Sequence, residues 1–191
     1  MKRDSDGPYL NVLSSGTSSR LELDTGDIDV SEYTTLSWAW KIVELPAVEW
    51  EMDKKQDDYV LRIELEYNFK GSWMNPLNIL RKGLIKTIFM GYPPVLKIDY
   101  VWSNQVPVDT SFTSPNDKLT TIIPIESGSP FHTNWVYETR DIAEDLDDLV
   151  LSPNSLRLKR IRIFSDTETM PSVAEGGLKY LRIIKGSPAG K

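Results

Sequence analysis

Residues 57–66, DDYVLRIELE, set two adjacent carboxylates in front of a run in which apolar side chains alternate with Arg62, Glu64 and Glu66. In an extended strand Val60, Arg62, Glu64 and Glu66 share one face, and Tyr59, Leu61, Ile63 and Leu65 share the other. The apolar set belongs in a core. The charged set admits two chemistries. Glu64 and Glu66, about 6.5 to 7 Å apart on one face, fall within the roughly 6.5 to 9.5 Å that an inverting glycosidase leaves between its two carboxyl groups. The same residues also suit a water-facing sheet with Arg62 paired to a neighbouring acid, the commoner use of charges on strands. Asp57 and Asp58, at the start of the run, can accept backbone N–H bonds in a turn or join carbonyl oxygens around a structural calcium ion.

Other chemistries are excluded by composition. The chain has no cysteine, which removes disulfides, thiolate zinc sites and cysteine nucleophiles. Its single histidine, His132, supplies no multi-histidine metal site and reads as a turn residue beside Pro130. There is no GxSxG elbow, no P-loop, no dinucleotide fingerprint and no calcium loop of the DxDxDG kind. A net charge of -6 and a pI near 4.9 argue against a phosphate backbone as partner, so no nucleic acid is expected. No apolar run is long enough for a transmembrane helix.

The aromatic residues offer a different kind of site. Trp38 and Trp40, Tyr100 and Trp102, and Trp135 and Tyr137 form pairs at alternate positions, each pair on one face of its strand. Such rings either fill a core or, where one or two stand exposed beside polar groups, make a platform on which a sugar stacks.

The elements that must position these groups are strands. Alternating β-branched and aromatic stretches recur over residues 9–13, 20–23, 36–42, 59–67, 95–103, 119–124, 134–140, 160–165 and 178–184. Between them lie turn-rich segments such as SSGTSS, PVDTSFTSPND, ESGSP, SPNS and EGG. This inventory predicts an all-β, jelly-roll-like sandwich as a single domain over 1–191, with a flexible tail from 186. Two segments break the pattern. Residues 74–91 have Leu77, Leu80, Leu84 and Ile88 at helical spacing and read as an inserted amphipathic helix, with Arg81, Lys82 and Lys86 available for a surface. RDIAEDLDDLVLSP aligns Ile142, Leu146 and Leu149, and its acids are expected to face water.

The stretches LSWAWKI, DDYVLRIELEYNF, LKIDYVWS, NWVYETRDIAED and RIRIFSDTET, in that order, resemble the bacterial family called domain of unknown function 3047. The likeness runs from about Gly7 to Ile184. It implies that Asp57, Asp58, Arg62, Arg140, Asp141, Asp166 and Thr167 matter, together with Trp38, Trp40, Tyr100, Trp102 and Trp135. It also implies a periplasmic or secreted setting, since the family's proteins commonly carry an export signal, one that a trimmed start would lack. The segment after Thr167 lacks the family's usual NTG, and the last strand lacks its Gly-Asp pair. The resulting expectation is a non-catalytic module that binds an oligosaccharide or another envelope component, through Asp57, Asp58, Arg62, Glu64, Tyr100, Trp102, Arg140, Asp166 and Thr167. A polysaccharide-acting hydrolase or lyase and a structural assembly protein are the alternatives.

Overall fold

A computed structural model describes residues 1–69, 95–129, 134–149, 156–169 and 172–186, apart from the side chains at 33 and 34. The helix expected over 74–91, His132 and the tail beyond residue 186 lie outside the described residues.

The chain folds into two sheets packed face to face, a jelly-roll-like sandwich. One sheet has five strands: β1 (Lys2–Asp4), β2 (Gly7–Ser15), β11 (Val173–Lys185), β4 (Tyr33–Glu44) and β9 (Val136–Asp141), in that order across it. The other has six: β3 (Ser18–Asp29), β10 (Leu156–Asp166), β5 (Arg62–Phe69), β6 (Val95–Ser103), β8 (Thr120–Ser127) and β7 (Phe112–Thr113). Neighbours are antiparallel except β6 and β8. Each of the nine expected strands coincides with an observed one. The short β1 and β7 were not expected, and the glycines of EGG lie inside β11 rather than in a turn.

Four of the six paired aromatics build the core between the sheets. Trp38 stacks on Tyr100 with ring centres 5.7 Å apart, and Trp40 meets Trp102 at 5.7 Å, so β4 and β6 are joined across the sandwich by two ring pairs. Leu36, Ile42, Leu61, Ile63, Leu65 and Ile98 complete the layer. Large rings suit this place because one pair spans much of the roughly 10 Å between sheets. Tyr100 and Trp102, expected among binding residues, are thus covered on their faces by protein.

The chain crosses between sheets at Gly16, whose φ of 57° lies in the left-handed region that a glycine adopts without strain. The alternation read for 59–65 begins only at Arg62. Tyr59 sits on the opposite face, with Val101 and Ile122, while both Val60 and Leu61 enter the main core. The reason is that residues before 62 are not paired in a sheet, so the two-residue period has no ladder to enforce it.

The helix α1 (Ile142–Leu149) buries Ile142, Leu146 and Leu149 as its spacing predicts. Glu144, Asp147 and Asp148 face water, but Asp145 does not. Its carboxylate accepts the Tyr100 hydroxyl at 2.6 Å and the Arg140 guanidinium at 2.8 and 3.0 Å, a bidentate pair. Arg140 also donates to Asp109 at 2.6 Å. Burial and the adjacent charge of Asp145 hold the Tyr100 phenol well above its ordinary pKa, so it acts as a hydrogen-bond donor throughout the physiological range. Replacing Tyr100 by Phe removes a bond to a charged acceptor and is expected to lower stability by about 1.5 to 3 kcal/mol in urea unfolding, without changing the fold.

Candidate functional site

The carboxylate pair of DDYVLRIELE ends in a buried knot. Arg62 Nη1 donates to Asp99 Oδ2 at 3.0 Å, and Nη2 reaches the Asp57 carbonyl at 3.1 Å, Asp57 Oδ1 at 3.2 Å and Asp166 Oδ2 at 3.5 Å. The guanidinium also lies over the Tyr59 ring, 4.6 Å from its centre. The second oxygen of Asp57 is held by Asn116 and Ser114, at 3.1 and 3.4 Å. Asp166 accepts the Tyr59 N–H at 2.8 Å, and Asp58 accepts that of Thr169 at 3.3 Å. Thr167 closes the group by exchanging bonds with Thr17 at the sheet crossover.

One cation therefore faces three carboxylates. Burial pushes the Asp99 carboxyl up to about 7 against the pull of Arg62, with Glu64 adding to the rise, and Asp166 is raised for the same leading reason. The residues do not fit calcium, because Arg62 already brings its positive charge into the group of carboxylates. Among the described residues no group of three or more histidine, cysteine or acidic side chains is arranged to hold a metal ion.

Glu64 and Glu66 lie on the outer face of the six-stranded sheet in a charge ladder. Row by row, Glu22, Arg162, Glu64 and Asp99 are cross-strand neighbours, as are Asp24, Arg160, Glu66 and Lys97. Arg162 binds both Glu64 and Glu66, and Arg160 reaches Glu66 at 3.1 Å. Both glutamates are buried, and each is paired to a cation.

A different carboxyl pair stands at the seam between the sheets. Glu138 on β9 accepts the Trp40 Nε1–H at 3.2 Å and lies beside Glu126 on β8, the strand neighbour of Trp102. Burial lifts the Glu138 carboxyl to about 7; the Trp40 bond opposes the rise and Glu126 adds to it.

The exposed aromatic platform lies elsewhere, on the outer face of the five-stranded sheet. Tyr137 is 63 % exposed. It borders an open pocket of about 360 Å³ with Asp4, Ser5, Asp6, Lys41, Asn134 and Trp135. Trp135 is fixed from several sides. Its Nε1–H donates to Asp4 at 2.8 Å, Tyr9 meets it edge-on at 5.3 Å, and Lys41 and Lys179 lie 4.6 and 4.5 Å from its ring centre. The Trp135 bond holds the Asp4 carboxyl below its usual range. Asp6 is bound by Lys179 at 3.3 Å. Beneath the rings lies Gly177, where a Cβ would stand only 3.0 Å from Tyr9 and 3.2 Å from Trp135.

The sequence-predicted residues thus fall in separate places. Asp57, Asp58, Arg62, Asp166 and Thr167 assemble in the knot, with Glu64 on the adjoining row. Tyr100 and Trp102 lie in the core, and Arg140 is tied to α1. Asp99 escaped notice, although it is a lone acid in VLKIDYVWS, and Asp145 was grouped with the water-facing acids of IAEDLDDL although it lies beside Leu146 on the buried side of α1. Asp4 and Asp6 could have been found from DSDG, which forms the two-residue turn between β1 and β2.

Two outcomes follow. Arg62→Ala leaves buried carboxylates without a partner and is expected to lower unfolding stability by about 3 to 5 kcal/mol, with Arg62→Lys recovering only part because it lacks the planar fork. Protonated Glu138 and Asp99 are favoured by folding, their unfolded values being 4.5 and 3.8. That contribution is whole below about pH 4 and fades as pH rises through about 7. Asp4, Glu22, Asp24 and Glu175 are held low, so their share is lost instead as pH falls below the carboxylate range. The melting temperature should therefore decline from about pH 5 to about pH 8, and less steeply in Glu138→Gln.

No curated protein matches the chain. Among solved structures, the loop-swap mutant of Necallimastix patriciarum Xyn11A superposes with a TM-score of 0.40 at 8% identity, covering 96% of this chain and 85% of that one. The family described as Protein of unknown function (DUF3047) matches over residues 1–182, including every strand from β1 to β10 and most of β11, and the chain belongs to that family.

Proposed function

We propose that the protein is a non-catalytic binding module that takes a hydroxyl-rich ligand, an oligosaccharide or a similar envelope component, on the outer face of its five-stranded sheet. The observation that carries this reading is the Tyr137 ring, exposed at the rim of a polar pocket that also holds Trp135, Asn134, Ser5 and two aspartates. A sugar offers the complementary chemistry: C–H faces that lie against a ring, and hydroxyls that donate to carboxylates and amides. Trp135 is held before any ligand arrives, so little ordering entropy opposes binding. A periplasmic or secreted location accords with the family resemblance.

The seam pair supports a second reading, a glycan-cleaving enzyme. Glu138, whose raised carboxyl keeps its proton near neutral pH, is suited to a general acid beside Trp40. Sugar release from a defined glycan by the wild type, absent in Glu138→Gln, would replace the binding-module reading.

Titration calorimetry against bacterial and plant oligosaccharides tests the first reading. A binding sugar is expected to lose about tenfold in affinity with Tyr137→Ala, the worth of a stacked ring, while the melting temperature stays unchanged. Equal affinity of the two chains would remove the platform.

A further inference from the structure

β3 is a long strand with one edge unpaired among the described residues. It lies at the border of the six-stranded sheet and, among the described residues, bonds only to β10. Other sheet borders are short: β1 has three residues, β7 two and β9 six. Proteins commonly protect such an edge with an inward-pointing charge or a bulge. Here Gly26 and Asp27, with φ of 67° and 64°, break the line only at its far end. Ser18 to Asp24 remain extended and exposed, with no lysine among them.

The inner side of this stretch is apolar. Leu21 and Leu23 are 56 % and 58 % exposed, although they point between the sheets. With Ile161, Ile163, Leu181 and Ile183 they line an open groove of about 550 Å³. The outer side carries Arg20, Glu22 and Asp24.

We propose that two copies of this chain join antiparallel through β3, with Glu22 on the twofold axis, to make one continuous sheet. Charge order and leucine pairing together select that register. Pairing about Glu22 sets Arg20 opposite Asp24 of the second copy, twice, and Leu21 opposite Leu23, twice. A shift of one residue turns leucines onto the charged face. A shift that centres Leu23 sets Glu22 against Asp24, and one that centres Leu21 leaves each Leu23 facing a serine. The two Glu22 carboxylates at the axis are each already bound, by Arg162 at 2.7 Å and Arg160 at 3.2 Å, which offsets their repulsion. All four leucines then lose water together, and the edge gains a ladder.

Because the chain has no cysteine, introduced thiols report the register directly. Sedimentation equilibrium of the full chain is expected to show a monomer–dimer equilibrium, shifted to monomer by Leu23→Lys, a change at an exposed position that the fold accommodates. Mild oxidation should cross-link Glu22→Cys with itself, since twofold-related Cβ atoms there come within disulfide reach. Leu21→Cys and Leu23→Cys should cross-link in a mixture far better than either alone. A monomer at every concentration, or cross-linking of Glu22→Cys no better than of Asp148→Cys on α1, would overturn the proposal. Native mass spectrometry finding a monomer with an alkyl compound bound would overturn it as well, by assigning the groove to a lipid.

Discussion

Arg62 is the point on which the sandwich depends. Its guanidinium joins the segment before β5, β5 itself, the middle of β6 and the end of β10, and through Asp166 and Thr167 it reaches the crossover from β2 to β3. β6, β10 and the crossover are distant in sequence from β5, and among the described residues the strand ladders are the main other links between them. A buried ion pair adds little net stability over a well-packed apolar substitute. Its contribution here is to geometry: three carboxylates that repel one another converge only where this cation stands. The register of β5 against β6 and β10 is fixed with it, because a one-residue slip would turn Arg62 into the core.

That constraint assigns different work to the two sides of each sheet. The inner faces carry rings and branched chains, and the outer face of the six-stranded sheet carries a compensated ladder of acids and bases. On the outer face of the five-stranded sheet the aromatic rings Tyr137 and Trp135 stand beside polar groups rather than beneath them. Tyr137 and Trp135 differ from Trp38 and Trp40 by the side of the sheet on which they fall, not by residue type.

Much of this was legible in the sequence. Period-two alternation located every long strand, and the helical spacing of Ile142, Leu146 and Leu149 found α1, because burial on one face leaves a periodic trace. The pairing of Arg62 with acids was also legible, as the commoner use of a cation amid strand carboxylates, but its partners were not. Asp99 and Asp166 come from other strands, and cross-strand neighbours follow from sheet order, which no local pattern encodes. For the same reason Glu64 and Glu66 drew attention as a catalytic pair, whereas Glu126 and Glu138, from strands in different sheets, did not. The six aromatics could be placed on faces but not on sides, since the sequence gives parity without direction.

Gly177 has a consequence for how this platform can diverge among relatives. The rings of Tyr9 and Trp135 rest on a position with no side chain, so the height of the aromatic surface is set by a residue beneath it. Even one added carbon would act as a shim, tilting both rings and resizing the pocket while every contacting residue kept its identity. A change in the shape of this pocket can thus be inherited through the scaffold of β11, and a comparison restricted to pocket residues would miss it.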